Sequence, residues 1–375
     1  MPIDFTMTIP AHLYRQAENQ GQSSNIPQRI PATFSSGIVQ SSTGSSSTSP
    51  LRNNVKWSFW ESNLCQKIIQ IWRQCCESVS SWFSAMYQKI FPRPSPLPLV
   101  YPQINTDMSR EAVKKIYWGL GRDHKWMECV DGRYHHLGKY VFDRGTHAGT
   151  VEPGFIASME ETFTFIEHFL QLKVNADWYL LLHKHTCAHF DGNPDIYLMG
   201  QEKVGLFRDS GDGICCGLHP PHYPVSAQAR AEFYALDQEL KREFGDSYGL
   251  GTMTYNPATG STSLSYLSMS QSQIRRIFNK FLNEFYQKAE TATTPDQKLW
   301  AIAELQQKLE WLHPVKDGTA RTSTAMMNKF LTDFGFHPAI LEYPHRSSTL
   351  TKAEWKKYLQ EGLLKWEQER AKLNP

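Results

Sequence analysis

His313, Asp317 and Arg321 fall four residues apart in Trp311-Leu-His-Pro-Val-Lys-Asp-Gly-Thr-Ala-Arg321, and together they are the parts that transfer to or from a nucleotide requires. An imidazole takes a proton near neutral pH, a hard carboxylate suits Mg²⁺, and a guanidinium matches phosphate oxygens. Upstream, Ile302, Leu305, Leu309 and Leu312 keep helical spacing; downstream, Ala325, Met326, Phe330 and Leu331 resume it after a break at Lys316-Asp317-Gly318. The spacing predicts a helix–loop–helix. At the start of the second helix the first backbone N–H groups lack partners, so Gly318, Thr319 and Ala320 would offer an anion site. His-Pro and Asp-Gly also mark plain helix ends and turns. This stretch alone therefore fits either a phosphate site or an ordinary turn.

The remainder of the chain bounds what such a site could serve. At 375 residues with 40% hydrophobic and 13% aromatic content, it can bury a sizeable core in one large or two modest domains. A formal charge of +2 gives no general field for nucleic acid, so nucleic acid is not an expected partner. Seven cysteines, including the adjacent pairs Cys75-Cys76 and Cys215-Cys216 and no Cys-x-x-Cys, suit a reducing compartment better than a disulfide scaffold. There is no apolar run of about 18 residues for a membrane span. The amino end lacks the basic-then-apolar pattern of a secretory signal.

Four segments are expected. Residues 1–54, rich in Ser, Gln, Thr and Pro and poor in charge and aromatics, bury too little apolar surface to order themselves. They read as a disordered leader, either a plain tail or an export signal of the composition seen on bacterial effectors delivered into host cells. Residues 55–91 carry Trp57, Trp60, Leu64, Ile68, Ile71, Trp72, Val79, Trp82 and Phe83 at spacings of three and four, an amphipathic helix whose face would pack on the main domain, lie on a membrane surface or bind a chaperone. Residues 92–105 are a Pro-rich linker, stiff and extended. From 106 to 375 the chain is continuously globular in character.

Within that last segment, helices are expected over Ser109–Val130, from Met159 to Leu170, from Ala176 through His183, over Ala227–Phe244 and over Ile274–Ala289. Residues 252–272 alternate, with Asn256-Pro-Ala-Thr-Gly260 as a hairpin tip. Thr294 and Pro295 open the helix that delivers His313. His183, His185 and His189 raise a zinc reading, but residues two apart on a helix do not face one another and no His-Glu-x-x-His completes it.

This order of elements resembles the Fic/Fido family of nucleotidyl transferases. The residues that carry the resemblance are Leu182-His183, Val204-Gly-Leu-Phe-Arg208, the hairpin in 252–272, His313-Pro-Val-Lys-Asp-Gly-Thr-Ala-Arg321, and Met327-Asn-Lys-Phe-Leu-Thr-Asp-Phe-Gly-Phe-His-Pro338. The resemblance implies a mainly α fold, a Fic-like helical core with a small β-hairpin flap. It implies transfer of AMP or a related nucleotidyl group from ATP, with Mg²⁺, to a hydroxyl or phosphate-bearing group of a host protein, with His313 as general base and Asp317 as the Mg²⁺ ligand. Gly318, Thr319, Ala320, Arg321 and Arg208 would then serve the nucleotide. Departures stand at Val315, Thr319, Ala320 and Thr324, the last in place of a second arginine; Glu152 faintly matches the family's autoinhibitory glutamate. The bacterial actin-dependent AMP transferases, marked by a Ser well upstream of His-x-x-x-Glu, are also similar: Ser270 lies 43 residues before His313. That likeness implies a Ser270–His313–Asp317 site and host actin as activator. Both imply a secreted effector acting on host protein in the host cytoplasm, and a non-catalytic binding descendant is the third alternative.

Overall fold

The computed structural model describes residues 102–145, 152–190, 204–212, 214–218 and 225–373. The leader at 1–54, the amphipathic segment at 55–91 and the linker as far as residue 101 lie outside the described residues. In order, the chain forms α1 (Arg110–Tyr117), α2 (Phe155–Glu167), α3 (Ala176–Thr186), β1 (Cys215–Leu218), α4 (Ala227–Phe244), β2 (Gly251–Asn256), β3 (Ser261–Tyr266), α5 (Gln271–Thr291), α6 (Pro295–Leu312), α7 (Thr319–Asp333) and α8 (Lys352–Leu373), with 3-10 turns at Arg122–Glu128, Gly132–Leu137 and Pro344–Ser348. The fold is mainly α with one small antiparallel sheet. Among these helices none is long and apolar enough to cross a membrane.

Helix starts follow local chemistry. Ser270 and Thr294 each close a capping box, with Gln273 and Gln297 returning the hydrogen bond, and Pro295 takes the first turn of α6 where its missing N–H costs nothing. The helix expected over Ser109–Val130 is two pieces. It stops after Tyr117 and resumes as a 3-10 turn at Arg122, because Gly121 adopts φ 75° and breaks the ladder.

α6 and α7 form the centre and are buried on nearly every face. α6 packs against α5, α7 and α8, and α3 packs against α2 and α7. Complete burial of a helix bearing charges demands internal partners. Lys308 meets Glu284 at 2.7 Å and Glu304 at 3.0 Å, and the Lys308, Lys288 and Lys352 ammonium groups hold the Glu304 carboxylate down at about 2 despite burial. Gln307 Nε2 donates to the Ser347 and Leu350 carbonyls, and Trp311 Nε1 donates to Ser348, so the turn before α8 is laced to α6. In α7, the buried Lys329 and Asp333 pair, and Asp333 also accepts the Gln171 N–H.

The sheet runs β1-β3-β2, both pairings antiparallel. β2 and β3 are the expected hairpin; β1 adds a third strand on the far side of β3. Asp237 of α4, 1% exposed, accepts the Leu250 N–H at 2.7 Å and anchors the hairpin's base. At Gly251 (φ 119°) a Cβ would lie 2.1 Å from the Ser265 carbonyl oxygen, so the strand entry requires glycine. β3 ends at Tyr266, and this end meets the loop between α6 and α7.

Candidate functional site

His313 is the C-cap of α6 and adopts φ 47°, ψ 66°, a left-handed conformation uncommon outside glycine. Tyr266 and Arg208 hold it there. Its ring stacks on Tyr266 with centroids 4.4 Å apart. The Arg208 guanidinium, 1% exposed, donates to the carbonyls of His313 (2.8 Å), Leu312 (3.3 Å) and Leu267 (2.6 Å). Two of those carbonyls are orphaned by the end of α6 and the third leaves β3, so one side chain ties helix end to flap. The Arg208 N–H also donates to the Pro314 carbonyl at 2.9 Å.

Burial lowers the His313 pKa to about 3, with the Arg208 and His345 charges adding to the effect, so the ring is neutral at physiological pH. A hydrogen bond to the Lys316 backbone works against that lowering. A neutral imidazole keeps one nitrogen that accepts, as proton abstraction requires.

The loop is shaped at Gly318, the N-cap of α7, with φ 75°. Ala320 lies within the helix, so that position needs no glycine. Thr319 is buried and its Oγ1 donates to the Val315 carbonyl at 3.4 Å. Asp317 Oδ1 accepts the Gly318 N–H at 2.6 Å, and Oδ2 lies 3.9 Å from Arg321. Arg321 also lies 3.7 Å from Glu152 Oε2, contacts Cys187 Sγ at 3.5 Å and stacks on Phe190. Glu152 is pushed above the usual carboxylate range by burial, and Asp317 and Asp143 add to this against the pull of Arg321.

His183 is the strut behind the loop. It accepts the Gly205 N–H on Nδ1 at 3.0 Å, so Nε2 carries the hydrogen and donates to the Asp317 carbonyl at 3.0 Å. Burial, with Arg321 nearby, lowers its pKa to about 4, and the ring stays neutral. His185 and His189 instead share the Glu161 carboxylate, at 2.6 and 2.8 Å. The three histidines that raised the zinc reading therefore face two different places, and no group of three or more metal-ligating side chains occurs among the described residues.

His313, Asp317, Gly318, Thr319, Ala320 and Arg321 line one cavity of about 820 Å³, with Tyr266, Glu152, Glu310 and Thr324. Two residues singled out in the sequence are not on its wall. Arg208 acts on backbone carbonyls. Ser270 spends its hydroxyl at the start of α5, with Gln273 (3.0 Å to Oε1) and Ser272 (3.0 Å). Tyr266 and Glu310 line the cavity without a local motif that marks them in the sequence. Tyr266 could have been found as the last apolar residue of the alternating strand before the loop, and Glu310 as a charge one turn before His313 on a helix otherwise ready for burial.

The donor set fits the Mg²⁺ that the resemblance implies: one partly exposed carboxylate, Asp317, at the start of α7 suits an ion that keeps water and takes phosphate oxygens for most of its shell.

No family model matches the chain, and no curated protein matches it. Among solved structures it is similar to a Fic domain containing signaling protein from Bacteroides thetaiotaomicron, with 11% identity, a TM-score of 0.38, and coverage of 70% of this chain and 94% of that one.

Proposed function

We propose that this chain is a protein nucleotidyltransferase: it moves AMP or a related nucleotidyl group from a nucleotide donor to a hydroxyl of a protein. The observation that carries the reading is the convergence of a neutral, conformationally held His313, the Asp317 carboxylate, the α7 start at Gly318 and Arg321 on one cavity. ATP is the first donor to test. Its phosphates would lie at Gly318–Ala320 and Arg321, and Asp317 would hold Mg²⁺, which when bound supplies charge neutralisation at the phosphate oxygens. His313 takes the proton of the incoming hydroxyl, whose oxygen bonds to the α-phosphorus as the bond to the leaving phosphate breaks; pyrophosphate is released from ATP. Catalysis is then mostly positioning and charge stabilisation.

Glu152 lies against Arg321, where a phosphate would sit, and acts as an internal competitor. The hairpin in 252–272 would hold an extended acceptor segment by main-chain pairing. The composition of the leader supports delivery into a host cell, where acceptor proteins and, in the actin-dependent alternative, actin would be met. Calorimetric titration with Mg²⁺-ATP tests the site: binding should weaken at least tenfold in Arg321→Ala, and in Asp317→Ala it should lose its dependence on Mg²⁺. Unchanged titrations in both variants would remove the anion site from the account.

A further inference from the structure

The two helices that meet at the loop each bring a further polar side chain to the cavity. Glu310 precedes His313 on α6 and Thr324 follows Arg321 on α7, in each case by ~4.5 Å along the axis at 1.5 Å per residue. Both are nearly buried, at 3% and 6% exposure. Glu310 Oε1 and Thr324 Oγ1 have no hydrogen-bond partner, and neither has Arg133 Nε on the wall of the same cavity. A buried polar atom left so costs ~1–3 kcal/mol. Together the three atoms border a cavity of the size that holds small ligands.

Their chemistry says what would satisfy them. Arg133 Nε can only donate, and a threonine hydroxyl rotates to donate. Glu310 is decided by its surroundings. The other acids on this wall have cations, Glu128 with Lys125 at 2.6 Å and Asp131 with Arg133 at 3.1 Å. Glu310 is faced by Ser323, which hydrogen-bonds its carboxyl, by His313 on its own helix, by the Tyr179 and Tyr266 phenols, and by Arg133 and His345 on the cavity wall. No ion pair balances its charge, so desolvation dominates and raises its pKa to about 8, with Ser323 acting against it. At neutral pH the group is a carboxylic acid whose O–H donates. Three donors around one cavity suit a group rich in acceptors, such as the oxygens of a phosphate.

We infer that Glu310 is a further catalytic residue of the proposed transfer, its carboxyl O–H donating from Oε1 to an oxygen of the departing phosphate, with Thr324 Oγ1 as a second donor. The inference rests on the nucleotidyltransferase reading and adds a residue to it. No proton leaves Glu310. The acceptor's proton goes to His313, the acceptor oxygen bonds to the α-phosphorus, and the bridging P–O bond breaks with its electron pair passing to the departing phosphate. The neutral acid stabilises the charge that gathers there. Ionised, the same carboxyl would repel it.

The test follows the full chain from about pH 6.5 to about pH 9.5 by two readouts: labelling of eukaryotic lysate proteins from α-labelled ATP or UTP with Mg²⁺ and added actin, and calorimetric binding of Mg²⁺-pyrophosphate. Wild-type labelling and binding should both fall about tenfold per pH unit above about pH 8, as Glu310 ionises. Glu310→Gln still donates but does not ionise, so it should label within about threefold of the wild type at neutral pH and lose the alkaline fall. Glu310→Ala should label ~10–100-fold more slowly, the loss of one hydrogen bond to a charged group. Parallel alkaline falls in the wild type and Glu310→Gln, the result of a purely structural role, overturn the inference, as does a wild-type rate in Glu310→Ala. The pH profiles decide it if the alanine variant does not fold. Parallel profiles with labelling lost in His313→Ala leave the transferase reading standing. No labelling, or labelling indifferent to His313→Ala, overturns both.

Discussion

Ser270 and His313 both sit at helix ends, and the physics at the two ends is opposite. Ser270 opens α5 in ordinary extended geometry (φ −68°, ψ 158°), and its hydroxyl is spent inside its own first turn in a capping box. His313 closes α6 in a left-handed conformation, held by Arg208 and Tyr266 from other parts of the chain. A residue that satisfies its own helix contributes stability locally. A residue held in an unfavourable conformation by distant partners marks a place where position matters more than local energy. The contrast separates the two transferase readings, since one needs Ser270 in the chemistry and the other does not.

The largest effect expected from this contrast is in His313→Ala, where transfer should fall ~10²–10⁴-fold, the usual range for loss of a general base, while thermal unfolding stays near the wild type. Full turnover in that variant would break the distinction. Arg208→Ala should come next. It leaves three backbone carbonyls without their buried donor, and urea unfolding should show a loss of ~2–4 kcal/mol. Transfer should fall as well, because the His313 conformation depends on the same contacts; stability lost with kcat intact would mean the left-handed cap forms without Arg208.

Glu310 gives a pH signature of comparable size. Its pKa is about 8 in the fold and near 4.5 when the chain is unfolded, so between those values the native state holds a proton that the unfolded state has released. Stability from this group therefore falls as pH rises from about 4.5 to 8. Relative to Glu310→Gln, the wild type should lose roughly 2–4 kcal/mol over that window in denaturant titrations; parallel pH profiles would show that Glu310 is not held protonated. Smallest is Ser270→Ala, with a stability loss of ~1 kcal/mol from the missing cap and unchanged transfer in an actin-free assay. Loss of nearly all transfer in that variant would place Ser270 in the chemistry and favour the actin-dependent class.

The helices and the loop were legible because their signals are local. Periodicity, the Thr294-Pro295 start and the Lys316-Asp317-Gly318 break place α6, α7 and the loop between them within a residue or two, and the Ala227–Phe244 helix has the expected bounds. What was hidden depends on packing across long sequence separations. Nothing near Arg208 in sequence says that its guanidinium would turn to the carbonyls of residues 312 and 313, and nothing near Ile214 says that β1 would join the hairpin through β3. The expected long helix from Ser109 failed at Gly121, where a glycine φ of 75° outweighed an otherwise regular apolar spacing. Ser270 drew attention through its distance from His313 along the chain, a quantity that does not report distance in space.

The central claim is that His313 performs group transfer from a nucleotide held at the Gly318–Arg321 loop. The most direct measurement incubates the full chain with eukaryotic lysate and donors labelled on the α-phosphate, with and without added actin, for wild type and for His313→Ala verified as folded by its unfolding transition. The account predicts labelled proteins with the wild type and none above background with His313→Ala. Equal labelling by the two proteins, or no labelling by the wild type with any donor in either condition, would contradict it.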